Sequence, residues 1–228
     1  MTTNPNAKTI LCYGDSNTWG QKPDKSGRYP VDVRWTGLLQ KALGDAYYVV
    51  EEGLGSRTTD LEYDRKPGRN GRTYLEPCLD SHLPIDIVIL MLGTNDLKVE
   101  FHRSAQDIAQ AVSGLVDIIK EKTTYQRARP AQIVLVSPIY IDYAQPDFER
   151  LYVPTYYDHG SADKSRQLAP EIEIVADQKG CVFVDAARVA HAGEDGIHFS
   201  AEAHTALAEV LIEKVRTVMK YGQEAAAE

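Results

Sequence analysis

The sequence predicts an α/β fold in which helices cover both faces of a five-stranded parallel sheet. Two observations carry this reading. Short apolar runs of strand length recur five times along the 228 residues, and segments with helical hydrophobic spacing stand between them. Strands separated in this way need crossover connections, which are right-handed and give parallel sheets with both faces buried. The length suits one such domain. No internal repeat or low-complexity linker divides it, so a single domain is expected over residues 1–228, ordered from about residue 7 to 220, with 221–228 as an Ala/Glu/Gln tail.

The elements follow in order. Thr9–Tyr13 is an apolar run ending at a glycine and reads as a buried strand. Trp35, Leu38, Leu39, Ala42 and Leu43 recur at helical spacing, with Gly44 as the stop. Tyr47–Val50 opens the second strand. Asp86–Leu92 is continuous and β-branched, the pattern of a strand covered on both faces. Ile108, Ala111, Val112, Leu115 and Ile119 mark an amphipathic helix over 105–120. Ile133–Val136 and Cys181–Val184 are the last two strands, with helical sequence over 161–180 and a closing helix from Ala201 to Met219. Five strands in this sequence fit a flavodoxin-like doubly wound order, in which ligands bind beyond the carboxyl ends of the strands. Gly20–Val31 and Leu61–Tyr74 read as loops. Pro138–Gly160 is a third, unusually rich in tyrosine; loops this long inside a domain tend to serve function, and an aromatic pocket wall and a subunit contact remain equal alternatives.

The formal net charge of −8 offers no general attraction to nucleic acid or to anionic membranes. No run is long enough to span a bilayer, and MTTNPNAKTI lacks the apolar core of a signal peptide, so a cytoplasmic location is expected. Cys12, Cys78 and Cys181 stand far apart without metal-ligand spacing, which argues against a disulfide framework and a structural zinc site.

Four short motifs fall at the ends of the inferred strands. Gly14-Asp15-Ser16 follows the first strand, where a sharp turn can expose the serine hydroxyl beside free backbone N–H groups; alone, such a serine is more often a helix cap. Gly53-Leu54-Gly55-Ser56-Arg57-Thr58 follows the second, either a close backbone approach to a ligand or an ordinary turn. Gly93-Thr94-Asn95-Asp96 follows the third and offers an amide donor for an oxyanion, or an Asx-turn. Asp195-Gly196-Ile197-His198 precedes the last helix and could supply an imidazole base with its orienting carboxylate. The remaining histidines lack this context, and His204 reads as a surface or capping residue.

Taken together, the motifs resemble the SGNH hydrolases, also called GDSL hydrolases. The segments ILCYGDSNTWG, DVRWTGLL, VEEGLGSRTT, LMLGTNDLK and DGIHFS are similar, within that superfamily, to the bacterial arylesterase and acyltransferase branch that includes a mycobacterial enzyme. The resemblance implies a three-layer sandwich of the SGNH hydrolase fold. It implies Ser16 as nucleophile, His198 as general base and Asp195 as its acid. It further implies an oxyanion hole from the N–H groups of Ser16 and Ser56 and the amide of Asn95, with Asp15, Trp19, Thr94 and Ile197 around the substrate. Many members carry Gly in place of Ser56, and several carry Asn in place of Glu51. No metal or organic cofactor is implied. The expected partners are a small-molecule ester and further copies of the chain, with neither nucleic acid nor membrane.

The expected chemistry is hydrolysis of short-chain carboxylic esters of aryl, alkyl or sugar alcohols through an acyl-serine, with acyl transfer to alcohols as a secondary activity. Carbohydrate O-deacetylation, or thioester or lysophospholipid cleavage, would use the same residues. A non-catalytic binding module has less support, because GDSNTWG contains neither G-x-G-x-x-G nor a phosphate-binding lysine.

Overall fold

The computed structural model describes residues 3–124 and 129–224. Its five strands are β1 (Lys8–Gly14), β2 (Tyr47–Gly53), β3 (Ile87–Met91), β4 (Gln132–Ser137) and β5 (Val182–Asp185). They form one sheet in the order β2-β1-β3-β4-β5, and every neighbouring pair is parallel. The helices are α1 (Ser16–Trp19), α2 (Trp35–Leu43), α3 (Gly71–His82), α4 (Ala105–Thr124), α5 (Phe148–Tyr152), α6 (His159–Lys179) and α7 (Ala201–Glu224).

Alternation along the strands divides the core into two layers. Leu11 and Tyr13 of β1 pack with Leu75 of α3, Leu115 of α4 and Leu168 of α6. Ile10 and Cys12 point the other way, toward Trp35 and Leu39 of α2 and Leu207 and Leu211 of α7. Both sheet faces are therefore buried, which is why β3 reads as an unbroken apolar run. No helix among the described residues is long and apolar enough to cross a membrane.

The structure corrects the boundaries of three expected stretches. Pro138–Gly160, read as a loop, contains α5 and the first two residues of α6. The stretch read as a loop to Tyr74 already contains the start of α3, capped by Asn70, whose side chain accepts hydrogen bonds from the N–H groups of Arg72 and Thr73. The last helix runs past Met219 to Glu224, so the expected tail begins in helix, and 225–228 lie outside the described residues.

The sheet order changes direction between β1 and β3, the switch point where doubly wound sheets bind ligands. Gly14 stands level with Gly53 on one side and Met91 on the other. The three loops that follow these strands consequently leave the sheet at one height and side by side.

Candidate active site

Ser16 opens the single turn of α1. Asp15 caps that turn, its Oδ1 accepting from Asn17 N–H at 2.9 Å. The turn fits against the sheet because residue 14 is glycine: a Cβ there would lie 2.1 Å from Thr18 Oγ1 and 2.8 Å from the Met91 carbonyl. Asn17 then ties the turn to the loop before α7. Its Nδ2 donates to the Ile197 carbonyl at 3.1 Å, and its Oδ1 accepts from Phe199 N–H at 3.0 Å.

That loop carries Asp195 and His198. Gly196 has φ +76°, and a Cβ on it would meet the Asp142 carbonyl at 2.3 Å, so glycine is required. Asp195 Oδ1 accepts from the N–H groups of Ile197 and His198 at 3.0 and 2.9 Å. Its Oδ2 accepts from His198 Nδ1–H at 2.6 Å. With the imidazole proton on Nδ1, Nε2 is left as acceptor, and the Ser16 hydroxyl lies 2.9 Å from it. Serine, histidine and aspartate are thus joined in one hydrogen-bonded chain.

Two further groups, which sequence reasoning missed, converge on Asp195 Oδ2. The Tyr152 hydroxyl donates to it at 2.8 Å, and Lys25 Nζ donates at 2.7 Å. Lys25 also bonds the Tyr152 hydroxyl and lies 3.2 Å from His198 Nδ1. Because Nδ1 already donates to Asp195, this last contact acts through charge and not as a hydrogen bond. Burial alone would raise the Asp195 pKa, but the His198 hydrogen bond and the His198 and Lys25 charges outweigh it and hold the carboxyl far below the usual range. Burial pulls the His198 pKa down; Asp195 opposes that shift, while Lys25 and Lys98 add to it.

Ser56 and Asn95 complete the constellation. Ser56 has φ +68°, the left-handed region that a β-carbon disfavours, so the departure from glycine is accommodated at some cost. The buried Arg57 anchors this loop, donating to the Gly14 carbonyl at 2.9 Å and to the Glu52 carbonyl, with its guanidinium 4.2 Å from the Tyr13 ring centroid. Glu51, the other departure, is gripped by Arg34, Arg28 and Thr36. Asn95 lies on the turn after β3. Its Oδ1 accepts from Lys98, which fixes which end of the amide faces which way, and its Nδ2 is 3.4 Å from Asp15 Oδ2. Asp96 closes the gap to the Ser56 loop by accepting from Thr59 N–H at 3.0 Å. Burial raises Asp15 and Asp96 to about 6 and lowers Lys98 to about 7.

Ser16, Ser56, Thr94, Asn95, Ile197 and His198 all line one cavity of about 280 Å³. The tyrosine-rich segment supplies Leu151, Tyr152, Tyr156 and Tyr157 to its wall, so the aromatic-wall alternative describes these residues. Two expected pocket residues stand elsewhere. Asp15 is buried beneath Ser16 as a cap, and Trp19 is half-buried with the Arg28 guanidinium 5.4 Å from its ring. His204 is not a surface residue: it is fully buried between the rings of Tyr29 and Phe199, with Nδ1 accepting from Trp35 N–H at 3.3 Å. Cys78 and His82, one turn apart on α3, do reach metal-ligand proximity with Glu52, the three ligand atoms lying within 4.8 Å of one another. The expectation that the cysteines lack a histidine at metal-ligand spacing is corrected for Cys78: the four-residue spacing to His82 stands in the sequence, and only the approach of Glu52 needs the fold.

A five-stranded parallel sheet carrying these four motifs along its carboxyl edge is the architecture of the SGNH hydrolases. The chain belongs to the GDSL-like lipase/acylhydrolase family, which it matches over residues 12–206. It is 38% identical to the aryl esterase of M. smegmatis, whose solved structure superposes with a TM-score of 0.83 over 93% of this chain and 100% of that one. A carbohydrate acetylesterase from Sinorhizobium meliloti is 37% identical, with a TM-score of 0.83 and coverage of 92% and 99%. An acetylxylan esterase of Xylanibacter ruminicola is 24% identical over 91% of this chain, which spans only 43% of that protein's length. The class of enzyme is a hydrolase of carboxylic esters.

Proposed function

We propose that the protein is a serine esterase that removes short, acetyl-type groups from aryl, alkyl or sugar alcohols through an acyl-Ser16 intermediate. The observation that carries this reading is the chain Ser16 Oγ, His198 Nε2, His198 Nδ1, Asp195 Oδ2, with links of 2.9 and 2.6 Å, opening onto the cavity lined by Ser56 and Asn95.

His198 takes the hydroxyl proton as Ser16 Oγ bonds to the ester carbonyl carbon. The negative charge that moves onto the carbonyl oxygen is met by the N–H groups of Ser16 and Ser56 and by Asn95 Nδ2. Donors set in place before the charge develops stabilise it without reorganisation. As the intermediate collapses, the bond to the alcohol oxygen breaks and His198 returns its proton to that oxygen. Water, activated by the same imidazole, then attacks the acyl-serine and releases the acid. An alcohol entering in place of water would give a new ester, the secondary activity we propose.

The cavity volume of about 280 Å³ supports a short acyl group over the long chains of a lysophospholipid. Tyr63, Tyr152, Tyr156 and Tyr157 in its wall combine apolar faces with polar tips. They support carbohydrate O-deacetylation as the second reading, in keeping with the names of two of the relatives. The test is turnover of p-nitrophenyl acetate and labelling by a fluorophosphonate. Ser16→Ala is expected to lose the labelling and at least about a thousandfold in kcat; equal rates in the two proteins would end the nucleophile assignment. Acetylated xylan assayed beside aryl acetates separates the two substrate readings.

A further inference from the structure

The cavity wall holds three lysine side chains, Lys25, Lys66 and Lys98, and no carboxylate. In a chain with 33 acidic residues against 25 Lys and Arg, a binding site lined by one sign of charge runs against the composition. Lys25 is accounted for by its 2.7 Å ion pair with Asp195 behind the wall. The other two are not matched in that way. Lys66 Nζ meets the neutral Ser56 hydroxyl at 3.2 Å. Lys98 is buried, and its Nζ reaches Asn95 Oδ1 and stands 4.8 and 5.6 Å from the ring centroids of Tyr63 and Tyr157. Among the described residues neither lysine has a carboxylate within ion-pair distance. Asp96, Asp15 and, more weakly, Glu100 partly balance the charge of Lys98, while Lys66 repels it. Burial and Lys66 leave Lys98 only partly charged near neutral pH. An anion bound between the two lysines would relieve their repulsion and draw Lys98 back toward its charged form, and low-dielectric walls strengthen that attraction.

Which part of the substrate carries the anion follows from size. A two-carbon acyl group beside Ser16 and Asn95 uses little of the cavity. The remaining space, walled by tyrosines and by Lys66 and Lys98, falls to the alcohol. We propose that the favoured substrates are acetyl-type esters whose alcohol portion carries a carboxylate, held against Lys66 and Lys98. This specificity rests on the esterase reading above and narrows it.

The test compares 4-acetoxybenzoate with its methyl ester, which share the acyl group and differ by one negative charge. Each kcat/KM is divided by the hydroxide rate constant of the same ester, which removes the difference in leaving-group reactivity. At low salt the corrected ratio is expected to favour the anion by about tenfold, and to shrink in about 0.5 M sodium chloride as screening sets in. Lys66→Gln, an exposed substitution that leaves the core alone, is expected to bring the ratio near unity, and Lys66→Glu to invert it. A corrected ratio near one in the wild type overturns the proposal. So does a preference for the anion that survives both Lys66 substitutions. Loss of turnover on both esters would instead bring down the esterase reading itself, and the specificity with it. The two failures are therefore distinguishable.

Discussion

Replacing Lys25 with methionine should move the acid limb of the pH–rate profile upward. Lys25 Nζ lies 3.2 Å from His198 Nδ1, and its charge disfavours the imidazolium. At that distance two unit charges interact by about 5 kcal/mol in an effective dielectric of 20 and by about 1.3 kcal/mol in water. The lysine side chain is 33% exposed and paired with Asp195, so the low end applies, on the order of 1–2 kcal/mol, or about one pH unit. The sign is fixed by which form catalyses. In the proposed mechanism His198 acts as a neutral base, and loss of a nearby cation makes it easier to protonate. The His198 pKa therefore rises, and activity is lost at pH values where the wild type still works.

The assay is kcat/KM for p-nitrophenyl acetate from about pH 5 to 9, corrected for spontaneous hydrolysis. Lys25→Arg keeps the charge and is expected to keep the wild-type limb. An unmoved or lowered limb in Lys25→Met would refute the electrostatic role, as would identical profiles for the two variants. The backbone supports a placed group: Lys25 has φ +62°, a conformation costing roughly 1–2 kcal/mol for a side-chain-bearing residue.

Asn17→Ala removes both bonds joining the Ser16 turn to the His198 loop and strands a buried N–H and C=O; a loss of roughly 2–4 kcal/mol is expected in urea unfolding, together with a fall in kcat, and an unchanged kcat would mean the tie does not set the Ser16–His198 distance. Ser56→Gly relieves the left-handed strain at φ +68° but adds chain entropy, for a net gain of up to about 1 kcal/mol read as a higher Tm; a lower Tm would show that the Lys66 contact outweighs the strain. His204 is held by burial at a pKa of about 3, against 6.5 for a free histidine. The unfolded chain therefore binds its proton first, and stability is lost as pH falls below 6.5, by roughly 3 kcal/mol near pH 4. Asp15 and Asp96, raised to about 6, act in the opposite direction. His204→Asn, whose Oδ1 stands in the place of Nδ1 as acceptor for Trp35 N–H, is accordingly expected to flatten the acid loss relative to wild type, and equal pH slopes would refute it.

The strands were legible because the cause is local: an apolar run such as Ile87–Met91 has nowhere to go but a sheet covered on both sides. Helix α3 was hidden because its inward face shows little more than Leu75, Cys78 and Leu79, interrupted by Pro77 and charged neighbours. Its Asn70 cap was the overlooked signal. His204 could also have been found: with Leu207, Ala208, Leu211 and Val215 it lies on the buried stripe of α7 at helical spacing. Its polar character suggested a surface, but periodicity was the better guide. Lys25 and Tyr152 gave no local signal, since only the packing of a distant loop and of α5 brings them to Asp195.

The same contrast explains why four weak motifs combine into a site. In three of them the residue proposed to act sits beside one whose work is to join that loop to another. Asn17 beside Ser16 reaches the His198 loop. Arg57 beside Ser56 reaches back to Gly14, and Asp96 beside Asn95 reaches Thr59. In the fourth, Asp195 binds the backbone of its own loop and accepts from the side chains of Lys25, on another loop, and Tyr152, at the end of α5. A serine, an amide or an imidazole on a lone loop would be held no more closely than that loop, and displacement of a reacting group by about 1 Å can cost a hundredfold in rate. Cross-loop bonds made by buried polar groups remove that freedom, because breaking one strands a desolvated partner. The motifs are informative in pairs because each acting residue needs a neighbour to hold it.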